Sequence, residues 1–161
     1  MTLNGPLQGQ LIGVNKFDNF GTIDLQQNPA AGDVLVITGT NPFTGAAGPH
    51  PGTFVPDGGT LKLDTVLNKG GTETRSDTLV VDGIPNVGAG GATTIAVRNA
   101  GGMGALTQGD GILVVQVLDN TRSVGGAFSL GGAVVAAGPY DYQLDHGGVG
   151  ADANNGIGIC T

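Results

Sequence analysis

The chain has 161 residues, the size of one domain. Gly supplies 32 of them, hydrophobic residues 39% and charged residues 12%; the glycines carry no three-residue period, so collagen is excluded, and the hydrophobic share excludes a highly charged disordered chain. The net charge of -7, with only six scattered Lys and Arg, excludes a phosphate-tracking basic surface and argues equally against an anionic membrane surface.

Of the 13 acidic residues, Glu73 is the only Glu; the rest are Asp. Asp favours turns and caps, whereas Glu favours helix interiors. With so much glycine, the expected class is all-β with many turns. No apolar run approaches the roughly 20 residues of a transmembrane helix. Cys160 is the single cysteine, so no internal disulfide or multi-cysteine zinc site is expected. That scarcity suits a reducing cytosol and equally a protein that crosses a membrane unfolded. Met1 to Pro6 lacks the basic start and apolar stretch of a signal peptide. The expectation is either a protein that is not exported or a piece of a longer chain.

In chain order, Gly21-Thr22-Ile23-Asp24-Leu25 and Gly32 to Gly39 read as strands. Residues 41–56 hold four of the eight prolines, at 42, 49, 51 and 56, and read as a projecting loop. Four short apolar runs follow, Thr60–Asp64, Thr78–Asp82, Thr94–Arg98 and Ile112–Gln116, each a strand by alternation and flanking turn residues. Ala127–Leu130 and Val134–Leu144 read as a hairpin, with Tyr140, Tyr142 and Leu144 on one face. From Gly147 the chain is rich in Gly, Ala and Asn and reads as flexible.

The inward pairs of the four runs are Leu61/Leu63, Leu79/Val81, Ile95/Val97 and Leu113/Val115, at steps of 18, 16 and 18 residues. A hairpin meander usually repeats every 8–12 residues or so. The longer period predicts coils of a parallel β-helix, each stacked on its neighbours. A β-sandwich is the alternative. The next residue of each run, Asp64, Asp82, Arg98 and Gln116, falls in register as a turn-edge ladder. Stacking in that order puts Arg98 between Asp82 and Gln116, and makes Asp64 beside Asp82 a like-charge contact unless solvated.

These segments resemble a known family in their order. Gly-Thr-Ile-Asp-Leu (21–25), Gly-Asp-Val-Leu-Val-Ile-Thr-Gly (32–39), Leu-Asp-Thr-Val-Leu (63–67) and Ser-Asp-Thr-Leu-Val-Val-Asp-Gly (76–83) come first. Asn-Ala-Gly-Gly-Met-Gly-Ala-Leu-Thr (99–107), Asp-Gly-Ile-Leu-Val-Val-Gln-Val (110–117), Gly-Ala-Phe-Ser-Leu (126–130) and Ala-Gly-Pro-Tyr-Asp-Tyr-Gln-Leu (137–144) follow. Together they resemble the pertactin-like autochaperone segment at the C-terminal end of bacterial autotransporter passengers. The resemblance covers about residues 21–148. It implies a right-handed parallel β-helix fragment with a C-terminal hairpin cap, and a role in type V secretion at the Gram-negative cell surface. The implied partners are upstream β-helix rungs and a downstream outer-membrane β-barrel of the same polypeptide, in a monomer. Residues 1–20 are then an edge rung or fragment start, 21–146 the β-helix domain with its 41–56 loop, and 147–161 a tail towards the barrel.

The residues expected to carry the function are a structural core stack: Leu61, Leu63, Leu79, Val81, Ile95, Val97, Leu113, Val115, Phe128 and Tyr140. No catalytic, cofactor or metal residues are expected. Gly147 to Asp152 matches the start of a calcium nonapeptide, but Asn154 stands where a large apolar residue belongs and the motif occurs once. His50 lies in the Pro-rich segment, and Asp145 and His146 are adjacent strand residues pointing to opposite faces. A sugar-cleaving pair at Asp64 and Asp82 lacks aromatic platforms, so a solvated turn edge is the preferred reading. Nothing near Cys160 in sequence suggests an activated thiolate. Besides the folding module, the sequence leaves open an adhesin using the 41–56 loop and a β-helical carbohydrate-active enzyme.

Overall fold

The computed structural model describes residues 5–39, 51–71, 74–147 and 156–161. Almost all the regular structure is strand, and the chain winds in coils. The first coil contains β1 (Gln8–Ile12), β2 (Lys16–Asn19) and β3 (Thr22–Asp24), and the second contains β4 (Val34–Thr38), β5 (Thr53–Pro56) and β6 (Thr60–Thr65). The third has β7 (Thr78–Val81) and β8 (Thr93–Asn99). The fourth has β9 (Ile112–Val117), a 3-10 turn at Asn120–Arg122 and β10 (Phe128–Leu130). A hairpin of β11 (Val135–Ala137) and β12 (Tyr140–His146) follows, then β13 (Gly156–Cys160).

Equivalent strands of successive coils pair in parallel, which makes three sheets. The first runs β1-β4-β7-β9 and continues antiparallel through β13, β12 and β11. The second is β2-β5. Backbone bonds extend that face, from Phe54 N–H to the Gly83 carbonyl (2.9 Å) and from Val124 N–H to the Ile84 carbonyl (3.0 Å). The third is β3-β6-β8-β10. This is a β-helix-like solenoid. No coil buries its apolar face alone, so stability is a sum over stacked neighbours.

The stacking period differs from the 18-residue step. Leu61 pairs in register with Ile95, 34 residues on, and Leu79 with Val115, 36 residues on. Successive apolar runs therefore belong to alternate sheets, and the short step measures half a coil. The interior holds Leu61, Leu63, Leu79, Val81, Ile95 and Val115, all at 0% exposure, with Val97 and Tyr140 partly buried against them. Phe54 stacks between Phe17 (centroids 5.7 Å) and Phe128 (6.0 Å), an aromatic column through the coils.

Leu113 departs from the expected core stack, being 42% exposed. The reason is a bulge. Ile157 of β13 faces Val115 while the next residue, Gly158, faces Leu113, so Val114 is the extra residue on β9. Such an insertion reverses the alternation of sides. Ile112 and Val114 are buried before it, Val115 and Val117 after it, and Leu113 is turned out.

Three segments differ from their sequence reading. Residues 53–56, placed in the Pro-rich loop, form β5, because Phe54 fills the column. Phe128–Leu130 pairs in parallel with β8 as a solenoid strand, while the hairpin is made by β11 and β12. Gly156–Cys160, placed in the flexible tail, is β13, with Ile157 and Ile159 buried. The register separates two leucines that look alike in sequence. Leu79→Ala is expected to cost about 2–5 kcal/mol, and Leu113→Ala less than about 1 kcal/mol. Urea unfolding midpoints of the two variants check this.

Candidate functional site

The two ends of the solenoid are built differently. At one end, β1, β2 and β3 are each the outermost strand of their sheet. All five residues of β1 are exposed. Leu7, Leu11, Ile12 and Phe20 are large apolar side chains left open to solvent there. Each edge offers a row of unpaired N–H and C=O groups to another strand.

At the other end the first sheet stops being parallel. β13 lies antiparallel on β9, and β12 antiparallel on β13. Tyr142 holds the hairpin down. It is fully buried, its hydroxyl oxygen accepts the Ala105 N–H (2.8 Å), and it lies 2.9 Å from the Ala105 carbonyl and 3.0 Å from the Asn68 carbonyl. Its one proton serves one of those carbonyls at a time. The segment carrying Ala105 passes so close to the hairpin that side chains are barred. A Cβ at Gly104 (φ 77°) would overlap the Ala137 carbonyl, and one at Gly138 (φ 58°) the Met103 carbonyl. Asn99 shapes the same segment by donating to the Gly102 carbonyl and accepting its N–H, both at 2.7 Å. The sequence places Tyr140, Tyr142 and Leu144 on this face and Tyr140 in the core stack. Tyr142, two residues on, is the anchor.

The expected four-residue ladder is not contiguous. Asp64 on β6 stands opposite Arg98 on β8, whereas Asp82 follows β7 in the first sheet. Arg98 therefore does not sit between Asp82 and Gln116, and Asp64 and Asp82 are not stacked. Gln116 is exposed opposite Val80. The two aspartates are also buried rather than solvated. Arg98 Nε donates to Asp64 (2.6 Å), Nη2 donates to its other oxygen, and Nη2 also reaches the Gln26 and Asn28 carbonyls (3.2 Å each). Asp82 accepts the N–H groups of Gly39 (2.6 Å) and Gly52 (2.8 Å). Arg122 binds the carbonyl of that same Gly52 (3.0 Å) and the Thr53 hydroxyl (2.7 Å). These carboxylates fasten corners of neighbouring coils, and their lone pairs are spent on that. A sugar-cleaving pair needs two carboxyl groups flanking one open bond.

Two further aspartates do the same work and escaped the sequence reading. Asp77 accepts the N–H groups of Gly32 and Asp33 (2.9 Å each) and of Asp64 (2.6 Å). Asp33 accepts from Leu7 N–H and from the Asn28 amide (2.7 Å each). Their signal was present, since each immediately precedes the strand, in Gly-Asp-Val-Leu-Val and Ser-Asp-Thr-Leu-Val. Burial pushes the Asp77 carboxyl above the ordinary carboxylate range, and the Asp33 carboxylate adds to this, against the pull of its three N–H donors.

The remaining candidates are separate from this framework. Ser123 Oγ lies 3.0 Å from His146 Nε2 at the surface, and Asp145 accepts the His146 backbone N–H (2.9 Å). His50, and the calcium-like motif beyond Gly147, lie outside the described residues. Burial raises the Cys160 thiol, and Asp145 and Asp110 raise it further, so it stays protonated at neutral pH.

Two outcomes follow. Tyr142→Phe leaves the part-buried Ala105 N–H without its acceptor and should cost about 1–3 kcal/mol in urea unfolding. Asp77→Asn loses one of the carboxylate's acceptor positions and should cost a similar amount at pH 7. A raised folded-state pKa means that the native state binds the proton more tightly than the unfolded chain. Asp77 therefore adds stability as pH falls through its folded value towards the unfolded value near about 3.9. The stability gap between the original chain and Asp77→Asn should widen as pH falls from 7 into the mildly acidic range, measured as urea midpoints at each pH.

Comparisons with known proteins agree with this geometry. Residues 51–144, from β5 through most of β12, match the family model described as Autochaperone Domain Type 1. The chain is also 35% identical, over 144 residues, to the uncharacterized protein YuaQ of Escherichia coli (strain K12). That alignment covers 89% of this chain but 9% of YuaQ, so the chain spans a small part of that relative. The chain belongs to the autochaperone domain type 1 family, a non-catalytic family tied to the folding of autotransporter passengers in type V secretion.

Proposed function

We propose that this chain closes the C-terminal end of an autotransporter passenger and acts in cis, without catalysis, to promote that passenger's folding and secretion. Family membership supports a place within a larger autotransporter polypeptide. In this reading, upstream coils of the same polypeptide stack on β1–β3, and an outer-membrane β-barrel lies downstream. The passenger then folds at the cell surface.

The observation that carries the reading is the asymmetry of the ends. β1, β2 and β3 leave three parallel edges and several apolar side chains uncovered, whereas at the other end β13, β12 and β11 close the first sheet in antiparallel register and the three-residue β10 ends the third. An uncovered parallel edge is a template on which the next coil pairs. A covered end cannot extend in the same way. Stacked coils then form one after another from a stable end, because each new coil gains its burial from the one already folded. Such folding draws only on the free energy of stacking, which suits a compartment without ATP.

The test uses the chain joined to its upstream passenger. Leu79→Ala, which weakens the stack, should reduce the protease-resistant passenger displayed at the cell surface. Leu113→Ala should leave it near the original level. Equal protease resistance in the original chain and Leu79→Ala would refute a cis role for this segment.

A further inference from the structure

We infer that the gap between β9 and the C-terminal half of β12 is a preformed strand-acceptor slot, which Gly156–Cys160 fills as an exchangeable latch. The partner class that fits it is an extended segment alternating glycine with large apolar residues.

The first observation is that both walls of the slot keep contacts besides the strand inside it: among the described residues Gln143–His146 pair with β13 alone, yet Leu144 packs on the core and His146 Nε2 lies 3.0 Å from Ser123 Oγ. β9 is paired with β7 on its other side. β12 is paired with β11 through Tyr140–Tyr142 only, and its β13 register uses Gln143–His146 instead. The hairpin is anchored by Tyr142 to Ala105 and Asn68, and by the close approach of Gly104 and Gly138 to opposing backbone. None of these contacts involves β13. The family match also ends at residue 144, so it includes the hairpin and excludes the inserted strand.

The second observation is how selective the slot is. Ile157 and Ile159 point inward and are buried (2% and 0% exposed). On the opposite side, a Cβ at Gly158 would lie 2.8 Å from the Asp110 carbonyl oxygen, which is backbone and cannot move aside cheaply. A Cβ at Gly156 would lie 2.8 Å from Leu113 Cδ1, the tip of a half-exposed side chain that turns away easily. The slot therefore demands glycine at position 158, tolerates a small residue at 156, and takes large apolar groups at 157 and 159. Main-chain bonds supply the affinity and these positions the selectivity, as in other cases of strand addition.

The third observation bears on exchange. On the β9 side the strand crosses the bulge at Val114, which interrupts the ladder there. Beyond the strand, Thr161 is held by three exposed hydrogen bonds with Thr107, 2.9 Å, 3.0 Å and 3.1 Å long. The latch thus opens by losing its ladders to β9 and β12 and two buried isoleucines, while the coils and hairpin stay folded.

Cys160 is the only cysteine of the chain and sits half-buried on the closed latch, so a rise in its labelling by an aromatic disulfide reagent reports opening. In urea below the global transition, Cys160 should become accessible at least about tenfold more often than the β11–β12 amides exchange. Excess peptide of residues 156–161 carrying Cys160→Ser should occupy the vacated slot and accelerate labelling, whereas the same peptide with Gly158→Ala added should not. In the full chain, Gly158→Ala should itself speed labelling while the hairpin amides stay protected. Opening of Cys160 only together with those amides would overturn the slot. So would indifference of the labelling rate to the peptide.

Discussion

The structure depends on parallel pairing between coils about 35 residues apart. Each coil is too thin to enclose a core, so Leu61, Leu79 or Ile95 is buried only when the coils above and below are in place. That arrangement requires the chain to turn sharply at every corner, where backbone N–H groups lose their strand partners. The buried aspartates meet this requirement. Asp33, Asp77 and Asp82 each accept N–H groups from other segments, so a short acidic side chain replaces water at a corner. Asp64 is neutralised by Arg98 from the coil beside it. The acidic composition is in part an internal scaffold, beyond its effect on the surface charge.

The ends express the same physics in opposite ways. An uncovered parallel edge keeps the pairing rule available, and a strand of reversed direction ends it. The closed end reverses direction twice in sequence, once at the β11–β12 hairpin and once between β12 and β13. It is pinned by one phenol hydroxyl and by glycines that let backbones approach closely. A folding module gains from this polarity, because growth proceeds from a finished end towards an unfinished one.

The latch strand adds a second level to closure. Hairpin and latch use separate stretches of β12, so the hairpin does not need the latch to stay in place. Its alternation of glycine and isoleucine is a steric code set by the Asp110 carbonyl on one side and the apolar interior on the other.

Much of this was legible in the residues. Twelve Asp against a single Glu, abundant glycine and short alternating apolar runs determined the all-β class and the positions of β6, β7, β8 and β9, because alternation is a local property. The Tyr140-Asp-Tyr142-Gln-Leu144 alternation likewise marked the cap, and eight motifs in order marked the family. Only the tertiary structure decided which run stacks on which. That choice is made between parallel strands 26–44 residues apart on three sheets, and spacing along the chain does not distinguish a neighbour in the stack from a strand across the core. It also decided that Leu113 faces out, since the bulge is imposed by β13 from more than forty residues away. The burial of Asp64, Asp77 and Asp82 and the ordering of Gly156–Cys160 were decided in the same way. Apart from the Arg98 guanidinium at Asp64, their partners are backbone groups that converge only once the coils have closed, and no side-chain pattern records where a distant N–H will point.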